Sequence, residues 1–164
     1  MKMATRTIIG LCLVAAVGHA TQIQQNMNAT VSVVNGCSIQ SVSNTAWSAI
    51  DGNFQAAATT SSGGVTVLCT ESTPYSVGLN NGNNYNVTNS TRQMSDGASH
   101  VIAYGLYHDN ALSLPWGDIG SGKELMATGS GSSQAATVYA QIPAGQTPVP
   151  AANFSDVVVV TLNF

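Results

Sequence analysis

Apolar and polar side chains alternate along residues 22–33. Ile23, Met27, Ala29, Val31 and Val33 fall on one face of an extended strand. Gln22, Gln24, Asn26, Asn28, Thr30 and Ser32 fall on the other, and Gln25 alone breaks the apolar row. Successive strand side chains point to opposite faces, so the segment has one dry face and one wet face. A peripheral segment with such a face suits a strand that completes a sheet in another molecule. Strand patterns recur at residues 27–34, 65–69, 75–79, 101–107, 136–142 and 157–164, all rich in β-branched, aliphatic or aromatic side chains. In the last of these, Val158, Val160, Leu162 and Phe164 share a face, with Val157, Val159, Thr161 and Asn163 opposite. So apolar a strand predicts pairing on both sides, with a gap to be filled beside it.

Turn-rich stretches separate these runs, at residues 80–91, 117–122, 128–134 and 143–153. Residues 46–58 hold some alanine, but Gly52 and the TTSSGG run at 59–64 exclude a helix there. Short strands punctuated in this way predict an all-β sandwich or barrel. No internal repeat and no linker divides the chain.

The chain opens with a predicted secretion signal. Lys2 and Arg6 form a basic start, residues 8–17 an apolar core, and Gly18, His19 and Ala20 a small-residue end suited to cleavage. The core is too short to span a bilayer. Processing after Ala20 leaves one domain's length of chain. It also leaves Arg92 and Lys123 as the only strong bases against seven acids, a net charge of −5. No basic patch is available for phosphates, which argues against nucleic acid and anionic membrane surfaces. Charged residues make up 7% of the chain, against roughly 25% in an average domain. Asn, Ser, Thr, Gln and Gly must therefore supply solubility, as suits an extracellular β-protein. Cys12 leaves with the signal, and Cys37 and Cys69 remain. An even count in an exported chain predicts one disulfide. The alternative, two reactive or metal-binding thiols, lacks a second cysteine two or three residues from either.

Candidate chemistry adds little. Residues 117–123 read GDIGSGK, most of a phosphate-binding loop, but Glu124 stands where Ser or Thr would hold magnesium. A hairpin is the better reading. His100 and His108 lie at opposite ends of one predicted strand, too far apart to share an ion, and His108-Asp109 suits a strand end entering a turn. No metal, cofactor or catalytic residue is expected: nucleophile elbows, zinc-binding helices and paired carboxylates are all missing from the sequence. The N-x-[ST] triplets at Asn28, Asn86, Asn89 and Asn153 are those expected by chance in so Asn- and Thr-rich a chain. Trp47, Trp116 and the tyrosines at 75, 85, 104, 107 and 139 could line a sugar site, though packing is their commoner role.

The mature chain resembles the spore-coat-protein-U-like pilins, subunits of archaic chaperone–usher pili of Gram-negative bacteria. The resemblance rests on the alternating segment ending at Gly36-Cys37, on VLCT at residues 67–70 and on VIAYGLYHD at 101–109. Its most specific part is the C-terminal run: IPAGQTP from Ile142, then Phe154-Ser155-Asp156, then VVVVTLNF. Ala152-Asn153 departs from the pattern, where relatives often have a glycine.

The resemblance implies an incomplete immunoglobulin-like β-sandwich completed by a donor strand from a neighbouring subunit. It divides the chain into a signal (1–20), a donor segment (21–34) and a sandwich domain (35–164). Ile23, Met27, Ala29, Val31 and Val33 become the donor knobs. Val158, Val160, Leu162 and Phe164 become one wall of the acceptor groove, first filled by a periplasmic chaperone. The expected partners are identical subunits in a head-to-tail fibre, the chaperone, an outer-membrane usher and a tip adhesin. The expected setting is the cell surface, reached through the periplasm, with roles in adhesion and biofilm formation. Two other readings remain: a secreted coat or matrix protein of the same fold, and a monomeric carbohydrate-binding module.

Overall fold

The computed structural model describes residues 22–164, and the predicted signal lies outside them. Two units divide the chain, Met1–Ser32 and Val33–Phe164. In the first, residues 22–32 are exposed and form no strand. The alternating pattern there gives a strand-compatible sequence without a paired strand. Pairing needs a second row of backbone donors and acceptors, which this segment does not supply for itself.

The second unit holds eight strands: β1 (Cys37–Ser43), β2 (Ala58–Cys69), β3 (Pro74–Leu79), β4 (Arg92–Ser95), β5 (Val101–Tyr107), β6 (Leu125–Thr128), β7 (Ser133–Ile142) and β8 (Val160–Asn163). The described residues contain no helix. The first sheet runs β1-β2-β7-β5-β4 and the second β6-β3-β8. All their pairings are antiparallel.

Strand alternation explains the core. Val65, Val67 and Cys69 on β2, Val138, Ala140 and Ile142 on β7, and Ile102, Tyr104 and Leu106 on β5 are buried from the first sheet. Tyr75, Val77 and Leu79 on β3 meet them from the second. Trp116 is fully buried and bonded to both sheets. Its backbone N donates to Leu106 O on β5, and its indole Nε1 donates to Val77 O on β3, each at 2.8 Å. A large apolar ring with its one polar atom satisfied makes a strong fastener between layers.

The observed strands depart from the sequence reading in informative places. β2 begins at Ala58 and takes in the TTSSGG run, with an irregularity between Thr60 and Gly63. Gly63 is required because the Thr45 side chain occupies the space a Cβ would fill. β1 and β4 carry too few apolar residues to stand out by pattern, and β6 is only four residues long. The last strand shortens to Val160–Asn163, because residues 154–159 are still crossing from one sheet to the other.

Cys37 and Cys69 are bonded to each other and face one another across the β1–β2 ladder. Closing a loop of 32 residues is worth roughly 3–4 kcal/mol in the chain-entropy model. The double variant Cys37→Ser, Cys69→Ser is expected to lose about that much stability in urea unfolding. A loss below about 1 kcal/mol would show that β1 stays docked without the cross-link.

Candidate functional site

A cleft of about 1040 Å³ opens within the sandwich unit. β1 contributes Val42 to one side, and residues 149–158 with Val160 form the other. Between them the floor is apolar, with Val65, Leu79, Ile102, Leu106, Val138 and Ile142 drawn from both sheets. The cleft arises from unequal sheets. β1 ends the five-stranded sheet and β8 ends the three-stranded one, and among the described residues each has one ladder partner.

A bulge sets the β1 side. Ile39 pairs with Val67 and Val42 with Val65, with a register shift between Ile39 and Ser41. Residues three apart on a regular strand face opposite ways. The extra residue brings both Ile39 and Val42 onto the inner face, opposite buried partners. They nevertheless remain 38% and 50% exposed, on an edge strand that among the described residues pairs only with β2. On the other side Val160 pairs with Leu79 and Leu162 with Val77, which places both on the inner face too. Val158, Val160 and Leu162 are half-buried and their neighbours 157, 159, 161 and 163 exposed. Val158 and Val160 line the cleft. Leu162 faces the same interior further along, and Phe164 is exposed. Ile23, Met27, Ala29, Val31 and Val33 are all exposed.

The aromatic residues belong to this cleft and to the core. Trp47 and Tyr104 meet edge to face at 6.0 Å inside it. Trp47 Nε1 donates to Ala58 O at 3.3 Å. Phe54 is buried in the loop beside them, where Gly145 N donates to Phe54 O and Val149 N to Gly52 O. These bonds zip residues 44–57 to residues 143–153 at one end of the cleft.

A polar cluster adjoins the apolar floor. Tyr104 OH donates to Asp156 Oδ2 at 2.7 Å. Asp156 Oδ1 accepts from Asn83 N, Asn84 Nδ2 and Val157 N. Arg92 is buried and gives its guanidinium to three backbone carbonyls, Leu79 O, Asn80 O and Trp116 O, at 2.7–2.8 Å. Burial pushes the Arg92 pKa down, and the charges of Tyr104, Tyr85, Asp156 and Asp118 oppose that shift. Burial also pushes the Tyr104 phenol far above its ordinary value, helped by its hydrogen bond to the Asp156 carboxylate.

The other candidates lie outside the cleft. Residues 117–124 make a turn closed by Gly117 N donating to Lys123 O, with positive φ at Gly120 and Gly122, and β6 rather than a helix follows. His100 Nδ1 lies 2.6 Å from Asp96 Oδ2 on the β4–β5 turn, while His108 packs edge-on against Trp116. Among the described residues no three His, Cys, Asp or Glu side chains converge.

The family model for the Spore Coat Protein U domain matches residues 23–161, and the chain belongs to that family. Among solved structures it is similar to the CsuC–CsuE chaperone–tip adhesion subunit pre-assembly complex from archaic chaperone–usher Csu pili of Acinetobacter baumannii. The TM-score is 0.56 at 20% identity over 80% of this chain, and the match spans 40% of that one. The likeness is one of fold, and it agrees with the immunoglobulin-like sandwich expected from the sequence. No curated protein matches the chain.

The Tyr104 proton gives a test of the cluster. The folded state holds it more tightly than the unfolded chain, whose tyrosines ionise near pH 10.0. The resulting stabilisation is fully present below that pH and is lost as pH rises above it. Urea midpoints from about pH 8 to about pH 12 should fall for the natural protein and fall less steeply for Tyr104→Phe. Identical alkaline slopes would mean that Tyr104 is not held as described.

Proposed function

We propose that this member of the Spore Coat Protein U domain family is a structural subunit of a chaperone–usher pilus, joined to its neighbours by donor-strand exchange. The observation that carries the reading is the open apolar cleft between β1 and β8. The same chain carries an exposed segment with the matching alternation, residues 22–33. Ile23, Met27, Ala29, Val31 and Val33 are the knobs that enter a neighbour's cleft. Burying five such side chains is worth on the order of 7–15 kcal/mol as an upper value. Val158, Val160, Leu162 and Phe164 flank the inserted strand. Each subunit gives one strand and accepts another, so the contact is head-to-tail and does not close.

In this reading residues 1–20 are the export signal, 21–34 the donor and 35–164 the sandwich. A periplasmic chaperone covers the cleft before assembly. The complex to which this chain is similar pairs a chaperone with a subunit, which supports that partner. An outer-membrane usher then exchanges the chaperone for the next donor, and a tip adhesin can end the fibre. The protein works on the surface of a Gram-negative cell in adhesion and biofilm formation, and its role is structural rather than catalytic. The family's description favours one second reading, a secreted coat protein of the same fold.

The natural protein, secreted with its chaperone and usher, should give a ladder of multimers on an unboiled detergent gel. Deleting residues 21–33 should collapse that ladder. Val31→Asp should abolish it by placing a charge on the knob row, and Asn28→Asp on the wet face should leave it intact. A stable monomer in every lane would sink the fibre reading and favour a self-sufficient secreted domain.

A further inference from the structure

An empty apolar cleft tends to close. Val42, Trp47, Phe154, Val158 and Val160 line it and keep part of their surface uncovered. Drawing residues 154–160 toward β1 would cover that surface, which hydrophobic burial favours. The regular ladder of β8 to β3 begins only at Val160 and cannot by itself hold the stretch before it.

That stretch is held by polar contacts instead. Ser155 exchanges two backbone hydrogen bonds with Ser95, on the edge of the first sheet. Asp156, the next residue, accepts the Tyr104 hydroxyl from β5 of the same sheet. Its other oxygen takes Asn83 N and Asn84 Nδ2 from the β3–β4 loop. Gly82 passes so close to this carboxylate that a Cβ would collide with it. Val159 is then gripped by Asn80, whose backbone N donates to Val159 O and whose Oδ1 accepts Val159 N. Arg92 fixes Asn80 in turn through the Asn80 and Leu79 carbonyls. The cleft wall thus hangs from one backbone pair, one carboxylate and one amide, and of these the carboxylate alone reaches both the first sheet and the β3–β4 loop. The wall cannot slide onto the apolar floor without stripping Asp156 of its partners inside the protein, which is costly for a charged group.

We propose that Tyr104 and Asp156 are positioning residues for strand uptake: their hydrogen bond ties the cleft wall to the first sheet and keeps the cleft open while it is empty. The proposal rests on the reading of the cleft as a strand acceptor. Once a strand fills the cleft, that strand holds the wall, and the bond matters less.

The test uses the mature chain and its Tyr104→Phe and Asp156→Asn variants. Two probes are added separately, a synthetic peptide of residues 22–34 and the dye 1-anilinonaphthalene-8-sulfonate. Trp47 fluorescence reports peptide uptake, since Trp47 lines the cleft while Trp116 is fully buried. Tyr104→Phe should take up peptide about tenfold more slowly than the natural chain, the scale of losing one charge-assisted hydrogen bond. The peptide-filled forms should melt together. Asp156→Asn, which keeps an acceptor oxygen, should be intermediate. Equal uptake rates, or equal destabilisation of filled and empty forms, would overturn the proposal. Should the natural chain take up no peptide, the donor reading fails, and the dye decides the positioning role alone. Less dye bound by Tyr104→Phe would mean a closed cleft and support it. Equal dye, or the greater binding of a loosened core, would overturn it.

Discussion

A β-sandwich is comfortable when every strand face is covered and every edge is paired or shielded. Here the strands divide five to three, and that inequality shapes the rest of the molecule. β1 and β8 each present an apolar inner row, and among the described residues each has a ladder partner on one side only. Trp116 binds the two sheets where they do face each other, with one backbone and one indole hydrogen bond. The disulfide holds β1 to β2 at the end where β1 begins. Both fasteners act away from the cleft, so the sheets stay joined while the gap between their edges remains.

Strand patterning was legible wherever a strand is buried on its inner face and long enough to alternate. β5 lies where VIAYGLY was expected, and β3 and β7 extend the expected runs by one and three residues. The pairing of Cys37 with Cys69 was legible from count and compartment. β1 was not, because Gln40 interrupts its period and sets Ile39 and Val42 three apart. β4 and β6 are four-residue strands whose places are set by partners distant in sequence. The alternation at residues 22–33 was legible as a sequence property, yet within this chain it corresponds to no paired strand.

The inward face of the last strand was legible in part. The even-numbered residues of the last strand do turn inward as far as Leu162, and Phe164 is exposed. Nothing in the sequence placed Trp47, Val42 and Phe154 in the cleft, because a lone aromatic or valine between turns looks the same in a core, a rim or a loop. The polar cluster was wholly hidden. Asp156 meets Tyr104 across 52 residues and Asn83 across 73, and no local pattern encodes such separations.

Charge scarcity makes that cluster more telling than it would be elsewhere. With 7% charged residues, the chain keeps few groups able to make strong directional contacts. Arg92, one of its two strong bases outside the predicted signal, serves buried carbonyls rather than solvent or a carboxylate partner. Asp156 serves one phenol, one side-chain amide and two backbone N–H groups. Both therefore act on backbone position, the one thing apolar packing specifies poorly. The asparagines of the β3–β4 loop, which as a sequence read only as turn formers, supply the matching donors and acceptors. A protein that leaves an apolar cleft unfilled needs its wall fixed by contacts that cannot be exchanged for hydrophobic ones. This chain places its buried arginine and a half-buried carboxylate beside the point where the last strand leaves one sheet for the other.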